Sequence, residues 1–352
     1  MTPLYNRNII FTKTPLKHSF RYKDIFQIYP LKDPRSPKHS YCMDFPMIIE
    51  YLVDENYKVE VQYEPGSFKD WLQESGKQII SKNVIFYLLS SVTNHRFFDY
   101  PAGSGSWVME WPEEITEDIN KRRSEWRLNQ YYFPESPAVR EMESLVETDT
   151  PKIPLIPHNL YYYTDPVDGS NKIITFPSSI NLILDKYFQL LPEDKRVVDS
   201  CISLINGGIT IESTVPSLSI IAFISSIETL VNYEYRDENK NIEFECPECQ
   251  TLTKSPFKCQ KCGRPIWGIN HKYREFLKTY VDGRTRSIKK FKRYYNLRSN
   301  ITHNGLLLIG DNHLEWGKFE SSREQYITRV EIKQLARLSL VNWLLKREKH
   351  NQ

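Results

Sequence analysis

No run of eighteen or more apolar residues occurs anywhere in the 352-residue chain, so a membrane-spanning helix, which needs about 20, is not expected. The N-terminus lacks the charged-then-apolar pattern of a secretory signal, and the expected location is cytoplasmic. Excess charge of either sign is missing too. There are 47 Lys and Arg against 44 Asp and Glu, a formal net charge of +3, so the whole chain is not a polycation. Cysteine is scarce. Four of the six fall into two Cys-x-x-Cys pairs, which in a reducing compartment argues for metal rather than disulfides. The first half contains no recognisable catalytic or phosphate-binding motif.

What is present points to an α+β protein of two domains, with a small metal module inserted in the second. Residues 1–150 read as a mixed α/β domain dense in Tyr, Phe and Trp. Tyr57 to Tyr63 alternates like a half-buried strand, the apolar run from Gln78 to Val92 predicts a helix, and Phe97 to Trp111 predicts a hairpin turning at Gly103-Ser104-Gly105. His95-Arg96 and Lys121-Arg122-Arg123 read as surface or as satisfied polar groups. Five prolines, Pro151, Pro154, Pro157, Pro166 and Pro177, mark 151–179 as a linker broken by a short strand at Ile173 to Phe176.

From Ile180 the pattern is helical. One helix covers Ile180 to Leu191. A second opens at Pro192-Glu193-Asp194 and is expected to stop at Gly207-Gly208, and a third runs from Pro216 to Tyr235 with Leu218, Ile221, Ile224, Glu228 and Val231 on one stripe. Glu228 is the exception in that stripe. A carboxylate on an apolar face needs a partner, and Arg298 or another arginine of the bundle is expected to supply it. A last helix is expected from Thr328 to Arg347, after a strand-like excursion at Leu306 to Ile309 and Leu314 to Trp316 in which His313 is a turn residue.

Cys246-Pro247-Glu248-Cys249 and, nine residues on, Cys259-Gln260-Lys261-Cys262 form two knuckles. Together they give the closed tetrahedral set of four thiolates preferred by structural zinc, within a ribbon at about 243–268. Lys254, Lys258, Lys261 and Arg264 make the ribbon basic.

From His271 to Asn300 ten Lys or Arg stand against Glu275 and Asp282, a candidate phosphate-binding surface. This cluster leads into Tyr295-Asn296-Leu297-Arg298-Ser299-Asn300-Ile301-Thr302-His303-Asn304-Gly305. Ile288, Phe291, Tyr294 or Tyr295, Leu297 and Ile301 recur at helical spacing, and Asn304-Gly305 closes the helix. On an ideal helix Arg298 and His303 stand about 140° apart, so one chain presents them poorly to a common point.

The Arg298 to His303 stretch resembles the R-x(4-6)-H signature of HEPN domains, and its wording is most similar to the Apea-like branch. The resemblance covers about Ile180 to the C-terminus. It implies a helical bundle acting as a metal-independent endoribonuclease, in which the RNA 2′-hydroxyl attacks the adjacent phosphorus. On that pattern His303 transfers protons, since imidazole titrates near neutrality, Arg298 stabilises the developing charge, and Asn300 orients His303 or binds phosphate. Lys289, Lys290, Lys292, Arg293 and Ser299 would contact RNA, and Glu228 would support the site. The resemblance also implies a homodimer, and a toxin of antiviral defence that acts by abortive infection. The N-terminal half would then sense a trigger, phage-derived on this pattern. Gly305 stands where the nucleotidylated HEPN toxins have Tyr, which excludes that regulation here. The alternative is a non-catalytic HEPN and zinc-ribbon module that binds RNA or protein. A DNA-binding regulator using the ribbon lacks a recognition helix.

Overall fold

The computed structural model describes residues 3–31, 45–57, 67–99, 140–163, 173–237, 241–245, 252–257, 267–311 and 319–346. They divide into two units, 1–181 and 182–352. The architecture is α+β: an antiparallel sheet in the first unit, helices and a short hairpin in the second.

The first unit is built on β1 (Tyr5–Thr12), followed by β2 (Phe20–Tyr22), β3 (Phe26–Pro30), β4 (Phe45–Leu52), α1 (Ser67–Val92), β5 (Phe97–Phe98) and β6 (Arg140–Met142). The strands lie in the order β2-β3-β4-β1-β5, with β6 also on β1. Along its whole length β1 pairs β4, from Tyr5↔Leu52 to Thr12↔Phe45. Its other edge is shared by β5 at Phe11 and Thr12 and by β6 at Tyr5 to Arg7. All eight residues of β1 are therefore buried, including Asn6, Arg7 and Asn8. Burying an arginine requires a partner, and Glu50 supplies it. The fully buried Glu50 carboxylate accepts from Arg7 Nε (2.7 Å), Gln27 Nε2 (2.6 Å), Tyr29 Oη (2.7 Å) and the Val146 N–H (3.0 Å). Four donors on one carboxylate satisfy the charge that burial would otherwise penalise.

Helix α1 contains the apolar run read as helical and begins earlier, at Ser67; Ile85, Phe86, Leu88, Leu89 and Val92 are buried. Of the predicted strand at 57–63 and hairpin at 97–111, residues 58–63 and 100–111 lie outside the described residues, as does the Lys121-Arg122-Arg123 run. His95 is buried, and its Nε2 accepts from the Thr175 N–H at 3.2 Å.

Residues 151–179, expected as a linker, are instead built into the first unit wherever they are described. The Ser19 N–H donates to the Pro151 carbonyl (2.7 Å) and the Ile153 N–H to the Ser19 carbonyl (2.9 Å). Strand β7 (Leu155–Ile156) pairs in parallel with β8 (Phe176–Pro177), α2 (His158–Tyr163) lies between them in the chain, and Tyr161, Tyr162, Ile174 and Phe176 are buried. Proline lacks a donor but keeps its acceptor. The Pro154 and Pro157 carbonyls accept from the N–H groups of Phe176 and Tyr161, so a proline-rich stretch packs without a long ladder.

Helix α3 (Ile180–Phe188) leads to α4 (Pro192–Ile211), α5 (Pro216–Glu234), a hairpin of β9 (Asn241–Glu245) and β10 (Leu252–Pro256), α6 (Ile269–Tyr280), α7 (Thr285–Asn304) and α8 (Phe319–Lys346). Helix α5 is the hub, packed on α4, α6, α7 and α8. Ile220, Phe223, Ile224, Ile227, Leu230 and Val231 are all buried, a wider face than the predicted stripe, while Leu218 is exposed. A helix with neighbours on several sides loses the narrow apolar stripe of a surface helix.

Gly207-Gly208 does not end α4, which runs on to Ile211. A Cβ on Gly208 would lie 2.5 Å from the Phe223 ring, so this glycine lets α4 approach α5. Helix α8 begins at Phe319 rather than Thr328. Leu306 to Ile309 is irregular rather than a strand. It is pinned because the Leu308 N–H donates to Ser217 Oγ (2.8 Å) and the Ile309 N–H to Gln325 Oε1 (2.9 Å). Residues 314–316 and His313 lie outside the described residues. No described helix is long and apolar enough to cross a membrane.

Candidate nucleic-acid interface

Helix α7 carries the Arg298 to His303 stretch. At its start the Asp282 carboxylate accepts from the Arg284 N–H (3.0 Å) and Ser287 Oγ (2.6 Å) and pairs with the Arg284 guanidinium (2.7 Å). The bonds from Arg284 chiefly, helped by Ser287, hold the Asp282 carboxyl down at about 2. A carboxylate before the first turn also suits the helix dipole. Phe291, Tyr294, Tyr295 and Ile301 turn inward. Gly305 ends the helix at φ 65°, a left-handed conformation that favours glycine, with its N–H on the Asn300 carbonyl.

Glu228 of α5 faces α7. Its Oε2 lies 3.3 Å from Arg298 Nη2, and its Oε1 accepts from Tyr295 Oη at 3.0 Å. The two charged side chains are 13% and 21% exposed, so the pair sits at the edge of the core. Burial first, then the Glu228 charge, raises the Tyr295 phenol to about 12, which keeps it a donor. Tyr273 of α6 stacks obliquely on Tyr295 with ring centroids 5.0 Å apart. Its buried hydroxyl and the Arg298 Nε have no hydrogen-bond partner among the described residues. Burial, with Glu228 and Tyr295 nearby, raises the Tyr273 phenol as well.

A groove of about 600 Å³ lies on a different face of α7. It is lined by Lys289, Lys292, Arg293, Asn296, Leu297 and Asn300 of α7, by Leu308, and by Glu324, Gln325 and Thr328 of α8. Long polar side chains link the two helices: Arg293 pairs with Glu324, and Glu331 takes Lys290 and the Tyr294 hydroxyl. Among the described residues Lys289 and Lys292 carry no ion pair, so the groove keeps two uncompensated cations.

The structure distributes the sequence-predicted residues over two faces. On an ideal helix His303 falls within about 20° of Asn296, on the azimuth of the groove, whereas Arg298 stands about 160° away. His303 is exposed, and Arg298 is tied inward to Glu228. Asn300 lines the groove, where its Oδ1 accepts from Asn304 Nδ2 at 3.2 Å. Ser299 is half-buried, and neither Lys290 nor Ser299 lines the groove. Tyr273, Tyr295, Asn296, Glu324, Gln325 and Thr328 were missed from sequence. Asn296 and Tyr295 share the motif helix and were within reach of helical spacing, whereas the residues of α6 and α8 are brought in only by packing.

The hairpin brackets the first Cys-x-x-Cys pair, since Glu245 pairs with Leu252 immediately before Cys246 and after residue 251. At its base the buried Phe257 packs against Tyr235 (5.8 Å) and Trp267 (6.2 Å). Cys246, Cys249, Cys259 and Cys262 lie outside the described residues. Among the described residues no group of three or more His, Cys, Asp or Glu is placed to hold a metal. By its chemistry alone, a set of four soft thiolates is one that structural zinc accepts. No family model, curated protein or solved structure matches the chain.

Proposed function

We propose that this chain binds RNA along α7 and cleaves it as an endoribonuclease of the HEPN kind. The observation that carries the reading is the groove with Lys289, Lys292 and Arg293 on its wall, on the same helical azimuth as His303. RNA brings its own nucleophile: the 2′-hydroxyl attacks the adjacent phosphorus, the 5′-oxygen leaves, and a 2′,3′-cyclic phosphate and a 5′-hydroxyl result. His303 moves the protons, and Arg298 offsets the charge on the phosphorane.

In one chain Arg298 turns to Glu228 while His303 lies outward. A homodimer about a two-fold axis beside Asn300 would bring the His303 side chains of two copies to one basic cleft, and each Arg298 joins them only by leaving Glu228 and reaching round α7. Cys246, Cys249, Cys259 and Cys262 would hold zinc, which supplies folding energy to the ribbon. By analogy with the resembled family, the first unit restrains the nuclease until a phage-derived trigger releases it, as in a defence toxin acting by abortive infection.

A second reading is a non-catalytic module that binds RNA or protein, favoured by the engagement of Arg298 with Glu228. One experiment separates the two. Purified full-length protein is incubated with RNA and with DNA of the same sequence, after brief EDTA treatment, beside Arg298→Ala and His303→Ala. RNA-only cleavage lost in both variants supports the nuclease. Binding without cleavage supports the module. In mixed dimers of wild-type and His303→Ala chains a composite site predicts well under half the wild-type activity; a fully active monomer would defeat the dimer.

A further inference from the structure

We propose that the groove between α7 and α8 is a base-reading subsite for one unpaired guanosine of single-stranded RNA. The inference rests on the RNA-binding reading above. A volume of about 600 Å³ is in the range of small-molecule sites, roughly 300–1,000 Å³. Along α7 the lining is segregated: the cations Lys289, Lys292 and Arg293 come first, then Asn296, Leu297 and Asn300, over about 17 Å of helix. A surface that held only phosphates would be cationic throughout. Here seven of the ten lining residues are amides, a hydroxyl, a carboxylate and two leucines, Leu297 and Leu308, against which a base can lie.

The hydrogen bonds already made orient the amides. Gln325 Oε1 is committed to the Ile309 N–H, and Asn300 Oδ1 accepts from Asn304 Nδ2. The NH2 groups of Gln325 and Asn300 are left as donors, suited to the carbonyl and ring-nitrogen acceptors of a base. Glu324 is the discriminating group. A carboxylate repels phosphate, but it accepts two neighbouring N–H groups at once, and guanine presents such a pair in N1–H and its 2-amino group, with O6 beside them for an amide donor. Glu324 is now paired with the exposed Arg293. A nucleotide entering the groove exchanges that pair for Arg293 on phosphate and Glu324 on the base.

The test uses the full-length protein and fluorescein-labelled 2′-O-methyl oligouridines in which one central residue is U, A, C or G. These probes have no free 2′-hydroxyl and cannot be cleaved. Fluorescence anisotropy should show about tenfold tighter binding of the guanosine probe, and pairing that probe with a complementary strand should remove the advantage. Glu324→Gln should abolish the preference while binding of all four probes tightens, because Arg293 is freed for phosphate. Asn296→Ala and Gln325→Glu, the latter keeping an acceptor for the Ile309 N–H, should reduce the preference. Lys292→Ala should weaken all four probes alike and lower the salt slope by about one while preserving it. Equal binding of the four probes, or a guanosine preference untouched by Glu324→Gln, overturns the subsite. Cleavage of unmodified RNA is followed in parallel: if it proceeds without guanosine preference the subsite alone fails, and if no RNA binds at all the RNA reading fails with it.

Discussion

Glu228 on α5 and Arg298 on α7 form an ion pair at 3.3 Å, seventy positions apart in the chain, with the Tyr295 hydroxyl on the second carboxylate oxygen. This pair ties the motif helix to the hub of the bundle and decides which way the arginine points. Any RNA chemistry assigned to Arg298 must start from that tethered state.

Glu228→Gln should therefore destabilise the protein. Removing one partner leaves Arg298 half-buried and uncompensated, which for a pair at the core edge costs about 1–3 kcal/mol, less than for a fully buried one. Urea denaturation compared with wild type measures it. Arg298→Met in the Glu228→Gln background should recover part of the loss, and an unchanged midpoint in Glu228→Gln would show that the pair is not coupled to the fold.

The adjacent glycines of α4 should respond oppositely to alanine. At Gly208 a Cβ meets the Phe223 ring at 2.5 Å, and overpacking costs about 1–3 kcal/mol. At Gly207 a Cβ meets nothing within 4 Å, so alanine should stabilise the helix by roughly 0.5–1 kcal/mol. Thermal melts of the two variants decide it; equal shifts would contradict the packing of α4 on α5.

Acid should release the start of α7. The Asp282 carboxyl is lowered from 3.8 to about 2, first by the Arg284 guanidinium. A depressed carboxyl stabilises the fold above its ordinary value, and the contribution disappears as pH falls from about 4 through about 2. Wild type should thus exceed Asp282→Asn in stability at pH 5 to 7, and the gap should narrow between pH 4 and pH 3. A gap independent of pH would remove the carboxylate from the account.

Zinc should be present at about one ion per chain and be bound through Cys246, Cys249, Cys259 and Cys262. Metal analysis of wild type and Cys249→Ser, with a melt of each, tests this. Loss of the ion should come with lower stability or solubility rather than a selective loss of turnover. A metal-free Cys249→Ser protein as stable as wild type would sink the structural assignment.

Periodicity and chain-stopping residues made much of the local structure legible in advance: Phe291, Tyr294, Tyr295 and Ile301 on the inward face of α7, its end at Gly305 and the helical run up to Val92 follow from spacing and from the backbone freedom of glycine, whereas Leu297, expected inward, lines the groove. So did the need of Glu228 for a cationic partner, because an unpaired carboxylate on an apolar face is penalised wherever the chain runs. Packing decided what spacing could not express. Gly207-Gly208 reads as a stop, yet Phe223 across the helix contact makes Gly208 a point of close approach. The prolines of 151–179 read as a linker, yet the Pro151 carbonyl accepts from Ser19 and the Pro154 and Pro157 carbonyls from Phe176 and Tyr161. Above all, the groove needs α8 beside α7: Glu324, Gln325 and Thr328 carry no mark in the sequence that sets them against Asn296 and Lys292, because a helix specifies which residues share its own face but not which helix will stand opposite.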